Sequence, residues 1–145
     1  MIKIFIGCDH TGVDLKNIII NHLKEKNHSI KDLGVHSNDR VNYPDIAFEV
    51  AEHVVNLNKS RGILICGTGV GMSIAANKVK GIRAAVCSDS YSAAMSKMHN
   101  DSNIICFGSR VVGDEIAKEI VDNWINSTYE KGRHAIRVKM IDERN

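Results

Sequence analysis

The feature that most narrows the possible folds is an alternation. Short runs rich in Ile, Val and Phe recur along the chain, and each is followed by an amphipathic segment of helical length. Parallel strands need crossover connections long enough to hold a helix, so this alternation predicts a parallel sheet between two helical layers. The expected architecture is α/β, a three-layer αβα Rossmann-like fold with a five-stranded parallel sheet. Strands are expected at Ile2–Gly7, Ser29–Leu33, Arg61–Cys66, Ile82–Cys87 and Asn103–Phe107. Arg61–Cys66 is a continuous apolar run, as a strand buried on both faces should be. Helical spacing predicts a helix over about Gly12–Lys26, one after Pro44 with Ala47, Val50, Ala51 and Val54 inward, and a short one at Met72–Lys78. It predicts two more: Asp89–Met98 with Tyr91, Ala94, Met95 and Met98 on one face, and Asp114–Asn126 with Ile116, Ile120, Val121 and Trp124 buried.

A chain of 145 residues fits one domain, residues 1–145, around a single core. Its formal net charge of +2 argues against a nucleic-acid binder, which would carry a strong basic stripe. The N-terminal residues lack the apolar region of a signal peptide, and no apolar run is long enough to span a membrane, so a cytoplasmic protein is expected. The four cysteines, at 8, 66, 87 and 106, show no C-x-x-C pair and no zinc spacing. Three read as buried free thiols.

Cys66 has different company. Residues 64–73 read Leu-Ile-Cys-Gly-Thr-Gly-Val-Gly-Met-Ser, with alternate glycines directly after the most apolar strand. As a dinucleotide site the loop fits poorly, because the third glycine of G-x-G-x-x-G comes one residue early. The first strand, which usually carries that fingerprint, ends instead in Gly7-Cys8-Asp9-His10. Asp89 does stand about twenty residues on, where a ribose-binding acid would sit. A P-loop is excluded by the lack of a following Gly-Lys-Ser/Thr. As a reaction centre the loop fits better: glycines allow close backbone approach, and successive N–H groups at a helix start bind an oxyanion. The same positive helix end favours a thiolate at Cys66, and Thr68 is placed to turn its hydroxyl back to it. A plainer alternative stays open, in which Cys66 ends a buried strand and the glycines only turn the chain.

In parallel sheets, ligands bind at the carboxyl ends of the strands. Asp9-His10, Cys66-Gly67-Thr68, Cys87-Ser88-Asp89 and Gly108-Ser109-Arg110 all fall there. His22, His28, His36 and His53 read as ordinary surface or loop residues. His99-Asn100-Asp101 precedes the fifth strand, and chain order alone allows it at either edge of the sheet. Asp45 follows Tyr43-Pro44 without an assigned role. Near the C-terminus, Arg133 and Arg137 are four apart, on one face if that segment is helical. Paired arginines suit phosphate, although a solvated charged tail is the usual meaning of such a run.

Six blocks together carry a resemblance over nearly the whole chain: GCDHTG at 7–12, YPD at 43–45, GILICGTGVGMSIAANKVKGIRAAVC at 62–87, HND at 99–101, FGSRVVG at 107–113 and GRHAIRV at 132–138. The chain resembles the type B ribose-5-phosphate isomerases, a sugar-phosphate isomerase family shared with galactose-6-phosphate isomerase subunits. The resemblance implies interconversion of D-ribose 5-phosphate and D-ribulose 5-phosphate through an enediol, a step of the pentose phosphate pathway, with no metal and no other cofactor. It implies Cys66 as base, assisted by Thr68, and the backbone N–H groups of Gly67, Thr68, Gly69, Val70 and Gly71 around the enediolate. His99 would help open the furanose ring, Asp9 would hold sugar hydroxyls, and Asn100 would touch the sugar. His10, Arg110, Arg133 and Arg137 would bind phosphate and substrate. Some family members use a glutamate elsewhere as base and lack a cysteine here. The tail, about residues 129–145, is expected to reach a partner subunit's site, making the active unit a homodimer or a homotetramer. Two alternatives stand beside this: an isomerase of a six-carbon aldose 6-phosphate such as allose or galactose 6-phosphate, and a non-enzymatic nucleotide- or sugar-phosphate-binding module.

Overall fold

The computed structural model describes residues 2–144. The alternation resolves into β1 (Lys3–Cys8), α1 (Val13–Glu25), β2 (Ser29–Asp32), α2 (Tyr43–Asn56), β3 (Arg61–Cys66), α3 (Val70–Ala76), β4 (Ala84–Val86), α4 (Ser90–Asn100), β5 (Ile104–Gly108), α5 (Asp114–Asn126) and α6 (Arg133–Glu143). The sheet has five strands in the order β2-β1-β3-β5-β4, and each pairing is parallel. The expected sheet and its three layers are therefore present, with β3 at the centre.

Side chains of a strand point alternately to opposite faces, so each central strand feeds two cores. Ile4, Ile6, Ile63, Ile65, Ile105 and Phe107 pack with Leu15 and Ile19 of α1 and with Ile120, Val121 and Trp124 of α5. On the other face Phe5, Leu64, Cys66, Ile104 and Cys106 meet Ala47, Val50, Ala51 and Val54 of α2 and Met72 of α3. Each fully buried large aliphatic side chain contributes about 1.5–3 kcal/mol of transfer free energy. Trp124 has no exposed surface; its Nε1 donates to Ser102 Oγ at 2.8 Å, and Ser102 in turn bonds Ser96 Oγ at 2.8 Å. Arg61, at the start of β3, lies over the Trp124 ring and donates Nη1 to the carbonyls of Trp124 and Ile125. That sets a cation on two carbonyls at the end of α5, where the helix dipole favours one.

Several elements differ from the sequence expectation. β4 is shorter than Ile82–Cys87, because Arg83 is engaged outside the ladder: its N–H donates to Asn103 Oδ1 at 2.7 Å and its carbonyl accepts from Asn103 N–H. α3 begins at Val70 rather than Met72, since Gly69 turns the chain at once with φ 81°. The buried face of α4 is Ala93 and Ser96, and Tyr91 is 72% exposed. On α5, Ala117 rather than Ile116 turns inward, and Ile116 stays 44% exposed. Small residues let α4 and α5 pack closely, which leaves their larger neighbours outside. α6 buries only His134 and Val138, while Ile136 and Met140 stay exposed. Among the described residues, no helix is long and apolar enough to cross a membrane.

α1 follows β1 onto one face of the sheet and α3 follows β3 onto the other. The crevice between the carboxyl ends of these two adjacent strands is the topological switch point where ligands bind in open α/β sheets.

Candidate active site

β1 and β3 are neighbours, with Cys8 paired to Ile65, so the sequence-predicted groups after these strands do meet. Asp9 N–H donates to Ile65 O at 3.0 Å, and on the far side Ser109 N–H donates to Cys66 O at 2.8 Å. Both loops are thereby pinned to β3. The Asp9 carboxylate, 7% exposed, accepts from Thr11 N at 2.9 Å and from Thr11 Oγ1 at 2.6 Å, which fixes its direction. His10 Nδ1 is buried and has no hydrogen-bond partner in the protein, a donor or acceptor left for a ligand.

Cys66 is the last residue of β3, and its Sγ accepts the N–H of Gly69 at 3.0 Å. The hydroxyl of Thr68 does not turn back to the thiol as expected; it accepts from Val70 N at 3.3 Å. Two glycines are sterically required here. Gly69 combines φ 81° with a position where a Cβ would stand 2.8 Å from the Phe107 backbone. At Gly108 a Cβ would stand 2.5 Å from Gly67 O and 2.6 Å from Thr68 Cα. The loop therefore lies directly against the end of β5. Burial pushes the other three thiols up: Cys8 and Cys87 to about 11, despite the opposing charge of Lys16 and the Ser96 hydroxyl respectively, and Cys106 well above its ordinary value.

An open depression of about 740 Å³ lies in front of these groups, lined by Asp9, His10, Gly67 and Arg110 and also by Thr11, Arg40 and Asn42. Arg110 N–H donates to Gly67 O, and its side chain passes over Gly67, 3.6 Å from where a Cβ would stand. Tyr43 closes the loop from the α2 side: a Cβ on Gly71 would meet its ring at 2.6 Å. Asp45, in the first turn of α2, is exposed and suits the positive helix end. Thr11, Arg40, Asn42 and Tyr43 were not singled out by the sequence as site residues; loop residues carry no periodicity, and only the YPD block marked Tyr43.

The remaining candidates lie elsewhere. α4 leaves the carboxyl end of β4 and leads to the amino end of β5, which places His99 and Asn100, in its last turn, at the opposite edge of the sheet. Cys66 pairs with Gly108 at the far end of β5, so the two edges are separated by the strand's length, about 13 Å between its end residues at 3.3–3.4 Å per residue. Asn100 opens onto a cavity of about 500 Å³ shared with Arg83, Ile141 and Asp142. The His99 ring stacks on His134, with centroids 4.2 Å apart and planes 13° from parallel, and its Nε2 is 3.6 Å from Glu130 Oε1. Burial holds His134 below the usual histidine range, helped by the charges of His99 and Arg133 and opposed by Glu130. Arg133 and Arg137 extend from one face of α6, both exposed. A single chain thus carries the candidate residues in two separate groups: an acid, a thiol and a glycine loop at one edge, and a histidine, an amide and two arginines at the other. Glu130 and His134 escaped the sequence reading, although His134 lies inside the GRHAIRV block.

Comparison with known proteins matches residues 4–141 to the family model described as Ribose/Galactose Isomerase. The chain is 55% identical over 141 residues to ribose-5-phosphate isomerase B of Escherichia coli K12, covering 97% of this chain and 95% of that protein. Among solved structures it is similar to ribose-5-phosphate isomerase B of Clostridium thermocellum, with TM-score 0.96 and 53% identity over 98% of this chain and 96% of that one. It is also similar to the Mycoplasma genitalium ribose-5-phosphate isomerase B with bound ribulose-5-phosphate, with TM-score 0.94 and 45% identity over 97% and 94% of the two chains.

Proposed function

The chain belongs to the ribose/galactose isomerase family, and from that premise we propose that it is an aldose–ketose isomerase interconverting D-ribose 5-phosphate and D-ribulose 5-phosphate. The observation that carries the chemistry is Cys66 at the end of the central strand, its sulfur facing the Gly69 N–H, beside the depression that Asp9, His10 and Arg110 line. Ring opening comes first: the anomeric hydroxyl proton is transferred to the ring oxygen as the C1–O bond breaks, with His99 handling the proton. The Cys66 thiolate then removes the proton from C2 of the linear aldose. The electron pair forms the C1–C2 double bond, and the carbonyl oxygen becomes an enediolate. A proton moves between the two oxygens, and Cys66 returns its proton to C1. With the Gly69 N–H on the Cys66 sulfur and the Val70 N–H on Thr68 Oγ1, the Thr68 hydroxyl and the remaining N–H groups of the 67–71 loop are the donors for the enediolate oxygen; a well-placed donor of this kind contributes about 3–4 kcal/mol to the transition state. Asp9 and Asn100 hold sugar hydroxyls, and His10, Arg110, Arg133 and Arg137 hold the phosphate.

The separation of the two half-sites supports an active unit of two chains, in which the α6 arginines, His99 and Asn100 of one chain complete the Cys66 edge of the other. Closed two-fold symmetry gives two equal sites per dimer, and a tetramer would pair two such dimers. We place the enzyme in the cytoplasm, in the pentose phosphate pathway.

The test is turnover on ribose 5-phosphate and on allose and galactose 6-phosphates, with chelator present. Highest kcat/KM on ribose 5-phosphate, abolished in Cys66→Ala with the fold intact, is the expected outcome. Retained turnover in that variant would remove Cys66 from the mechanism.

A further inference from the structure

Resting on the reading of His99 as the ring-opening residue, we infer that Glu130 and His134 are positioning residues that hold the His99 imidazole in one orientation and one tautomer. Three observations meet at this point. The Glu130 carboxylate is 3.6 Å from His99 Nε2. Its other oxygen is 4.0 Å from His134 Nε2, so one carboxylate faces both rings. The two rings are stacked nearly parallel, and His134 is 8% exposed and fixed in the first turn of α6. Glu130 is itself anchored, since its N–H donates to Met98 O at 3.0 Å, one residue before His99.

The chemistry follows from which nitrogen keeps its proton. A carboxylate opposite Nε2 favours the proton there and leaves Nδ1 as the free nitrogen of neutral His99. Among the described residues no protein group hydrogen-bonds Nδ1. Nδ1 is then the atom that takes the anomeric proton and delivers it to the ring oxygen, and the carboxylate stabilises the imidazolium formed between the two transfers. No proton or electron is gained or lost overall. The stack supplies what the carboxylate alone lacks: a flat surface against one face of the ring, which removes rotation about the bond to Cβ. Burial depresses His134, so the ring beneath the transient imidazolium stays neutral. The same three side chains have the composition of a metal site. Stacked rings 4.2 Å apart, however, do not share a plane, and one cation cannot lie along the lone pairs of both in this arrangement.

The experiment separates ring opening from enolisation. Ribulose 5-phosphate cannot close to a furanose, because the hydroxyl that would form the five-membered ring is phosphorylated. Deuterium wash-in from D2O at its C1 therefore reports the Cys66 step without ring chemistry. In Glu130→Gln and His134→Ala, turnover of ribose 5-phosphate is expected to fall about tenfold or more while wash-in falls less than about threefold, within what a positioned acid–base group supplies. His134→Phe, which keeps a flat ring against His99, is expected to stay closer to wild type than His134→Ala, and it carries the test if the alanine variant folds poorly. Equal losses in the two readouts, as a structural or phosphate-binding role would give, overturn the inference, and so does wild-type turnover. His99→Asn serves as the reference. If that variant fails to separate the two readouts, the reading of His99 itself is wrong, not only that of its neighbours.

Discussion

Mixing two inactive variants, Cys66→Ala and the double variant Arg133→Ala/Arg137→Ala, is expected to restore a defined fraction of activity. In the proposed dimer each site takes its thiol from one chain and its arginines from the other. A mixed dimer then has one site with both defects and one site with neither. Equal amounts mixed at random leave half the dimers mixed, and one intact site in two gives about a quarter of wild-type activity. The reasoning depends on placement: Cys66 ends β3 beside the carboxyl end of β5, whereas His99 and Asn100 lie in the last turn of α4, which leads to the amino end of β5, and α6 packs against His99 through His134, so the two groups of one chain sit at opposite ends of the sheet. Had both halves served one site within a chain, each mixed dimer would hold two defective sites and nothing would return. The assay is ribulose 5-phosphate formation at substrate well below the wild-type KM, where the arginine variant is quiet, with mixed dimers counted by native mass spectrometry. Background activity in a sample shown to contain mixed dimers would refute the shared site.

A second prediction concerns the backbone. A methyl group at Gly108 would stand 2.5 Å from Gly67 O, against 3.4 Å or more for ordinary contact, so the loop must retreat by about 1 Å. Gly108→Ala is expected to lower kcat about 100-fold, the order of loss for a 1 Å misplacement of reacting groups, with a cooperative melt retained; kcat within a few-fold of wild type in the folded variant would contradict it. A third concerns the thiols. Cys8 and Cys87 are pushed up to about 11 and Cys106 is raised as well, so all three are protonated at pH 8, while only thiolates alkylate. Iodoacetamide at pH 8 should inactivate with one label, found at Cys66, and lose that selectivity as the pH approaches 11; inactivation that tracks a label at any other cysteine would overturn the assignment.

The central elements were legible because one signal dominated each. Arg61–Cys66 is apolar without interruption, and Asp114–Asn126 carries a strong helical period; both run between the residues expected. The errors fall where periodicity describes a face without saying what covers it. Tyr91 and Ile116 sit at helical spacing with true core residues yet remain exposed, because Ala93 and Ser96 of α4 and Ala117 of α5 are the residues turned into the core instead. At the site, Asp9, Cys66 and Arg110 could be read from their positions at strand ends. The edge occupied by His99 could not, since a short turn before a strand looks alike in sequence at either end. The contact of Glu130 with His99 was likewise hidden, because the two are 31 positions apart, even though His134 stands only four residues after Glu130.

The uneven anchoring of the two groups of candidate residues affects how the molecule fails. The thiol sits on the middle strand, with hydrogen bonds to the loops on both sides, in the part of a sheet that opens last. The arginines ride on α6, which in an isolated chain is held by two buried side chains and the ion pair of Asp142 with Arg83. Under the proposed roles, partial unfolding of a lone subunit removes recognition before reactivity: the Cys66 sulfur stays in place after the arginines proposed to choose its substrate have let go.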